Sequence, residues 1–278
     1  MRPVMNLIEL PAPKLPGGPY IMGVLNVTPD SFSDGGKWEG AAAPHALAML
    51  EAGADIIDIG GESTRPGAEQ VEAGEEIARI VPVIAALRSA TKAPISVDTM
   101  KPAVAQAAAN VGANIWNDVG ALSAPGALET AAAMHAPVIL MHMQGEPRTM
   151  QIEPRYDDVV AEVIAFLRAR IAVAEARGLT KIWVDPGIGF GKTLAHNLAL
   201  LKAVARIGAE TGRPVVMGAS RKSFIAKLDP GADAGSGRLG GSLAAALLAA
   251  QQGAAMLRVH DVAETVQALK VWRAVHGA

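Results

Sequence analysis

Residues 182–193 read Ile-Trp-Val-Asp-Pro-Gly-Ile-Gly-Phe-Gly-Lys-Thr. Three apolar residues, Ile182, Trp183 and Val184, have the character of a short buried strand, and the carboxylate of Asp185 follows at once. A turn rich in glycine comes next. A strand of this kind delivers an acid to the mouth of a sheet, and the glycines let a flat ligand approach the backbone. The Gly-Lys-Thr at 191–193 imitates a nucleotide-binding loop. That loop needs a glycine five residues before Gly191, where this chain has Pro186, and proline also removes an N–H that would cradle phosphate. The nucleotide reading fails on spacing.

Outward from this stretch the same unit recurs. Apolar strands are expected at 20–27, 56–60, 95–97, 114–116, 138–141, 182–184, 215–218 and 256–259. Helices are expected at 44–52, 74–90, 102–111, 127–135, 156–177, 194–208, 239–252 and 262–275. Gly53, Gly112, Gly178 and Gly253 each stand just ahead of a strand, where a preceding helix ends. Pro94, Pro137 and Pro214 each precede a strand, a position that tolerates a missing donor. Strictly alternating strands and helices imply a parallel sheet, and eight units in about 250 residues fit a closed (β/α)8 barrel. An open doubly wound sheet is the alternative, because strand count alone does not close a barrel. No composition shift divides the chain. One barrel domain is expected over 20–278, with residues 1–19 as a proline- and glycine-rich surface segment.

Composition narrows the function. The chain has 278 residues, 50% of them hydrophobic, and a net charge of −2. That balance speaks against a nucleic-acid surface, which is basic, and 4% aromatic residues are too few for a base-stacking platform. The absence of cysteine excludes disulfides, thiolate chemistry and cysteine-held metals. The N-terminus lacks the apolar core of a signal peptide, and no apolar run reaches the roughly 18 residues of a membrane span. A cytoplasmic location is expected.

Polar residues gather after the strands: Asn26, Asp34, Thr64, Arg65, Asp98, Asn117, Asp185, Lys222, Arg258 and His260. In a barrel these positions surround one opening, the face where barrel enzymes hold their sites. Taken singly, Asp98, Asn117 and Asp185 could cap the following helices, and Arg65 or Lys222 could be solvated charges. Recurrence at seven of eight strands makes independent capping a poor account. Two carboxylates, Asp98 and Asp185, and the Asn117 amide near the Lys222 cation suit a flat heterocycle carrying N–H donors and a carbonyl. Arg258 and His260, two apart on a strand end, suit an anion, with Arg65 and Asn26 and a Mg²⁺ ion in support.

The segments 26–36 (NVTPDSFSDGG), 58–68 (DIGGESTRPGA), 96–99 (SVDT), 116–119 (WNDV), 140–145 (LMHMQG), 185–197 (DPGIGFGKTLAHN), 220–224 (SRKSF) and 258–262 (RVHDV) closely resemble the dihydropteroate synthase family. The resemblance runs in order over nearly the whole chain. It implies a transferase of folate biosynthesis, in which 4-aminobenzoate displaces pyrophosphate from 6-hydroxymethyl-7,8-dihydropterin diphosphate. It implies that Asp185, Asn117, Asp98 and Lys222 bind the pterin, and that Asn26 holds Mg²⁺. Thr64, Arg258 and His260 would meet the diphosphate. Phe190, Pro66 and the Lys222 stem would sandwich the arylamine, with Ser223 at its carboxylate. Phe32, Asp34 and Arg65 would ride on two mobile loops. A homodimer is implied as well. The alternatives are a pterin-dependent methyltransferase, which would leave Arg258, His260 and the 64–66 loop without a role, and a catalytically silent pterin-binding paralogue, which should have lost these residues.

Overall fold

The computed structural model describes residues 10–28, 38–63, 68, 70–232 and 236–276. Eight strands lie in it: β1 (Tyr20–Asn26), β2 (Ile56–Gly60), β3 (Ile95–Asp98), β4 (Ile115–Asp118), β5 (Val138–Met141), β6 (Ile182–Asp185), β7 (Val216–Met217) and β8 (Met256–Val259). Every pairing is parallel and neighbours follow chain order, with β8 returning to β1. A parallel bridge between Val184 and Val215 joins β6 to the start of β7, so the sheet curls into a barrel. The (β/α)8 expectation holds, and the open sheet does not.

Helices fill the connections: α1 (Trp38–Glu51), α2 (Ala73–Ala90), α3 (Pro102–Asn110), α4 (Ala127–Met134), α5 (Val159–Glu175), α6 (Leu194–Lys202), α7 (Val204–Thr211), α8 (Phe224–Leu228), α9 (Leu239–Gln251) and α10 (Val262–His276). The four glycines ahead of strands all have left-handed backbone, as C-terminal helix stops do. Three helices differ from expectation by more than two residues. The first helix begins six residues before Pro44, which sits inside it. The helix expected from Tyr156 begins at Val159, because the carboxylate of Asp158 accepts the N–H groups of Val160 and Ala161 at 3.0 Å each. The helix expected over 194–208 is broken at Ala203. Its buried positions, Asn197, Leu200, Leu201, Val204 and Ile207, keep a helical period across the break, so the pattern gave no sign of it. The short α8 was not expected at all.

Alternation along the strands does the rest. Met22, Ile56, Ile115, Ile139, Trp183, Val216 and Met256 form one buried cluster, one residue from each of seven strands. Their outward-facing neighbours, such as Ile57, Val97, Leu140, Val184 and Leu257, join the larger core. Because successive side chains alternate across a strand, the residue two places after each inner residue also points inward. Those residues are Val24, Asp58, Asn117, Met141, Asp185, Gly218 and Arg258, with Asp98 the last inward residue of β3. An apolar floor therefore carries a mostly polar layer above it.

Below the floor the barrel is plugged. Leu10 and Tyr20 pack against the apolar cluster, and the Tyr20 ring meets Trp183 edge-on at 5.8 Å. Asp55, just before β2, accepts the N–H groups of Lys14 and Ile21 at 2.7 Å each, while Lys14 Nζ donates to Leu50 O at 2.6 Å. Replacing Asp55 by Ala leaves the buried Ile21 N–H without this acceptor and frees the plug. Urea denaturation should register a loss of about 2 kcal/mol; an unchanged midpoint would mean that the plug adds nothing to stability.

Candidate active site

Asp98, Asn117, Val119, Met141, Asp185, Ile188, Phe190, Gly218, Lys222 and Arg258 line one pocket at the C-terminal end of the barrel. Six of these are residues that the sequence nominated: Asp98, Asn117, Asp185, Phe190, Lys222 and Arg258. Asn26 ends β1 on the same rim, half-buried. His260 and Ser223 are not among the lining residues. Ser223 stands exposed at the head of α8. Asp34, Thr64, Arg65, Pro66 and Phe32 lie outside the described residues.

Helix capping does not account for the strand-end polar groups. The residues that precede α3, α4 and α6 are Lys101, Gly126 and Thr193. Asp98, Asn117 and Asp185 turn instead into the barrel. The centre of the arrangement is Arg258. Its Nε donates to Asp58 Oδ2 and its Nη2 to Asp98 Oδ2, each at 2.6 Å. Asn117 Nδ2 donates to the same Asp58 oxygen at 3.2 Å, so the amide oxygen is the group left for a ligand. Asp58 is fully buried and was not nominated. The signal was present: an acid inside Ile-Ile-Asp-Ile-Gly, two places after the inward Ile56.

Burial decides the charge states. Desolvation raises the Asp98 carboxyl to about 7, with Arg258 pulling it down and the Asp58 carboxylate pushing it up. Its second oxygen, Oδ1, is buried with no partner among the described residues. The Asp185 carboxyl is also raised by burial, opposed by the Gly187 N–H at 2.7 Å and by Lys222, Arg258 and Lys192. Burial would lower Arg258, but the two carboxylates raise it, and it stays a cation. His260 is lowered to about 3 by burial and by the neighbouring cations Arg258, Arg221 and Lys222. Ser220 Oγ accepts the His260 N–H at 3.2 Å and lies 3.1 Å from Nδ1. A serine hydroxyl that donates to Nδ1 leaves a neutral imidazole with its Nε2–H free to donate.

One wall of this pocket is the 186–193 turn, through Ile188 and Phe190. Lys222 Nζ sits 4.0 Å from the centre of the Phe190 ring, a cation–π contact. Gly187 has φ +71, and a Cβ there would lie 1.9 Å from the carbonyl oxygen of His142. Only glycine fits. The turn is fastened on all sides. Gln151 Nε2 donates to Gly189 O at 2.6 Å, the Tyr156 hydroxyl to Gly191 O at 2.9 Å, and the Gly189 N–H to Asn197 Oδ1 at 2.7 Å. Gln151 and Tyr156, from the segment between β5 and α5, thus brace this turn. Opposite it, Lys222 follows Arg221, whose backbone is left-handed at φ +57. Arg221 is held there by an ion pair with Asp261 and by its own N–H on Ser242 Oγ at 2.9 Å.

Further round the rim, Lys101 Nζ donates to Glu62 Oε2 and Glu76 Oε2, each at 2.7 Å, and Glu62 Oε1 accepts the Val71 N–H at 2.9 Å. This triad ties residues 62 and 71 together, at the two ends of the segment that contains Thr64, Arg65 and Pro66. Burial raises the Glu76 carboxyl against the pull of Lys101. Nothing in the spacing of Glu62, Glu76 and Lys101 reveals this contact.

A parallel barrel with buried acceptors and cations converging on a slot walled by an aromatic ring defines an enzyme that grips a flat, nitrogen-rich molecule. Comparison with known proteins agrees. The profile of pterin-binding enzymes matches residues 22–260. Dihydropteroate synthase of Escherichia coli K12 is 52% identical over 265 residues, covering 94% of this chain and 93% of that protein. A structure of the Xanthomonas albilineans dihydropteroate synthase with 4-aminobenzoic acid is 51% identical, with a TM-score of 0.88 and 94% of each chain covered. Another of the Xanthomonas enzyme, with 7,8-dihydropteroate, is 49% identical with a TM-score of 0.85, covering 94% of this chain and 95% of that one. The chain belongs to the pterin-binding enzyme family and, within it, to the dihydropteroate synthases, which are transferases.

The turn gives a contrast that needs no substrate. Gly187→Ala puts a methyl into a backbone carbonyl and should cost about 3 kcal/mol or more in stability. Gly126→Ala, at φ +79 with nothing within 4 Å of the new methyl, should cost about 1 kcal/mol. Equal losses in chemical denaturation would mean that the close approach of Gly187 to His142 is not a constraint.

Proposed function

We propose that the chain condenses 6-hydroxymethyl-7,8-dihydropterin diphosphate with 4-aminobenzoate, releasing pyrophosphate, by a loose mechanism in which C–O cleavage runs ahead of attack. The observation that carries the reading is the acceptor set: Asp98 Oδ1, the Asn117 amide oxygen and Asp185 facing one slot, with the cations Lys222 and Arg258 lining it as donors. A pterin edge presents ring and amino N–H donors together with one carbonyl oxygen, and it matches that set group for group. In this reading Asp185 takes two N–H bonds, Asn117 and Asp98 take the remaining ring donors, and Lys222 donates to the carbonyl.

The C–O bond breaks with its electron pair on the departing diphosphate, and the positive charge left on the methylene is shared with the conjugated pterin. The aromatic amine then attacks the methylene and loses a proton. It is nucleophilic without a strong base. What the site contributes is stabilisation of the leaving anion in a desolvated setting. Arg258 commits Nε and one Nη2 hydrogen to Asp58 and Asp98, and its remaining N–H groups are available to phosphate oxygens. His260 serves as a neutral donor through Nε2, and Thr64 is a second diphosphate-binding residue in this reading. Asp34 and Arg65, on loops 26–36 and 62–67, close over the reactants and exclude water. Phe190, Pro66 and the Lys222 stem hold the arylamine ring, with Ser223 towards its carboxylate.

Mg²⁺ belongs to this reading as a partner of the diphosphate. Among the described residues no group of three His, Cys, Asp or Glu could hold a metal ion. The rim offers the single amide of Asn26. That fits a hard cation held by one protein oxygen, by substrate phosphates and by water. Bound there, it would neutralise charge on the leaving group. A cytoplasmic homodimer is the proposed setting. No helix of the described residues is long and apolar enough to cross a membrane.

The decisive assay is pyrophosphate release, expected only with both substrates and Mg²⁺ present. Release without the arylamine would point to hydrolysis and sink the transferase assignment. Asp185→Asn places an amide where a second acceptor is needed and should weaken pterin binding about tenfold or more with the fold intact. Calorimetry giving wild-type affinity would remove Asp185 from the role.

Asp98 adds a pH signature. Its folded carboxyl sits at about 7, and a pterin N–H needs the ionised form. Binding therefore lowers the Asp98 pKa and expels a proton, so affinity should rise with pH and level off above about 7. Calorimetry at pH near 6.5, in buffers of different ionisation enthalpy, should register proton release that Asp98→Asn removes. Release of the same size from the variant would assign the proton to another group.

A further inference from the structure

The nucleotide-loop lookalike at 191–193 leaves one residue unexplained. Lys192 is 1% exposed, and among the described residues it forms no ion pair with a carboxylate. Burial lowers Lys192 to about 7 against the through-space pull of Asp185, so a lysine here costs more than an apolar side chain of the same length. Its surroundings show what it does there. Nζ donates to Phe190 O at 2.9 Å and to His142 O at 3.4 Å, and it lies 3.0 Å from His142 Nδ1. Three N–H groups meet three acceptors.

Those acceptors belong to two different pieces of the site. His142 follows β5, and its ring is wedged edge-on against Phe166 of α5, with centroids 4.9 Å apart. Phe190 belongs to the turn after β6, and its ring lines the pocket under Lys222. Lys192 therefore ties the carbonyl of a pocket-wall residue to the rigid end of a neighbouring strand. The approach is close. A Cβ on Gly187 would lie 1.9 Å from His142 O and 3.3 Å from Lys192 Nζ, so the turn is wrapped around the ammonium with no room to slide. Burial of the imidazole together with the charge of Lys192 lowers His142 to about 3, which leaves Nδ1 neutral and able to accept.

We propose that Lys192 is a positioning residue for the arylamine half of the site, fixing the Phe190 ring by pinning the Phe190 carbonyl to His142. The proposal rests on the reading that Phe190 walls the arylamine. Lys192 itself touches neither substrate. The pterin half, built on Asp98, Asn117 and Asp185 at strand ends, shares none of these hydrogen bonds and feels Lys192 only through its charge near Asp185.

The experiment compares the wild-type chain with Lys192→Met, which keeps length and removes all three donors. The expected result is a rise of about tenfold in the KM for 4-aminobenzoate. Calorimetric affinity for the bare hydroxymethyl pterin should stay within about threefold, because its acceptors Asp98, Asn117 and Asp185 stand at strand ends. Because the chain has no cysteine, Lys192→Cys can be alkylated selectively in denaturant with 2-bromoethylamine and refolded, which restores an ammonium at nearly the native length. Recovery of the low KM by that product, and not by the unalkylated variant, is expected. Lys192→Gln stands in if the Met variant does not fold.

An unchanged KM in a folded variant overturns the proposal. So does an equal loss for pterin and arylamine, or a failure of aminoethylation to restore the KM, since either would make Lys192 a packing residue. Inactivity of the wild-type chain with both substrates would instead strike at the functional reading.

Discussion

Arg258 holds two acids inside a barrel whose next layer down is apolar on seven of its eight strands. Its guanidinium spans from β8 to Asp58 on β2 and Asp98 on β3, crossing β1 between them. Two carboxylates brought this close in a dry interior repel, and one would take up a proton if no cation lay between them. With the guanidinium in place both can remain, and the neighbouring amide takes its orientation from them. Asn117 turns its nitrogen to Asp58, and Asp98 keeps one oxygen unspent. A buried ion network of this kind is a poor way to stabilise a fold. It is a good way to hold dipoles still until a ligand needs them.

That network is possible because the floor beneath it is complete. Seven strands each contribute one large apolar residue to the same level, and the Asp55 plug seals the level below. Water therefore reaches the polar layer from one end only. This is why Asp98 and Asp185 are raised although cations lie close by. The same geometry lowers His260 until it is a neutral donor.

The barrel was legible because its signals are periodic. Apolar runs end in acids or amides, and glycines and prolines mark where each helix stops and each strand starts. Asp98, Asn117, Asp185, Phe190, Lys222 and Arg258 could be nominated for one rim because the βαβ rule sends every strand end to the same face. Asp58 escaped because it lies within a strand and not at its end, though the two-residue period places it. The partners of Arg258 were not legible, since β8 lies some two hundred residues from β2 in sequence and pairing across the barrel follows from closure. Lys192 was misleading in a different way. Its local pattern suggested phosphate, and only the carbonyl of Phe190 and the ring of His142, from two separate turns, explain it. The break at Ala203 left no mark either, because the buried positions keep their period through it.

The two halves of the site are held by different means. Its acceptors stand at the ends of short strands, where ladder hydrogen bonds on both sides fix the backbone. Phe190 and Lys222 stand on turns, and those turns use left-handed backbone at Gly187, Gly189, Gly191 and Arg221. Such turns persist only when their surroundings over-determine them. Here that work falls to Lys192, Gln151, Tyr156 and Asn197 on one side and to Asp261 and Ser242 on the other. A change in any of these braces moves a wall by fractions of an ångström without touching a strand. The arylamine side can therefore vary in shape while the pterin side stays as the barrel made it.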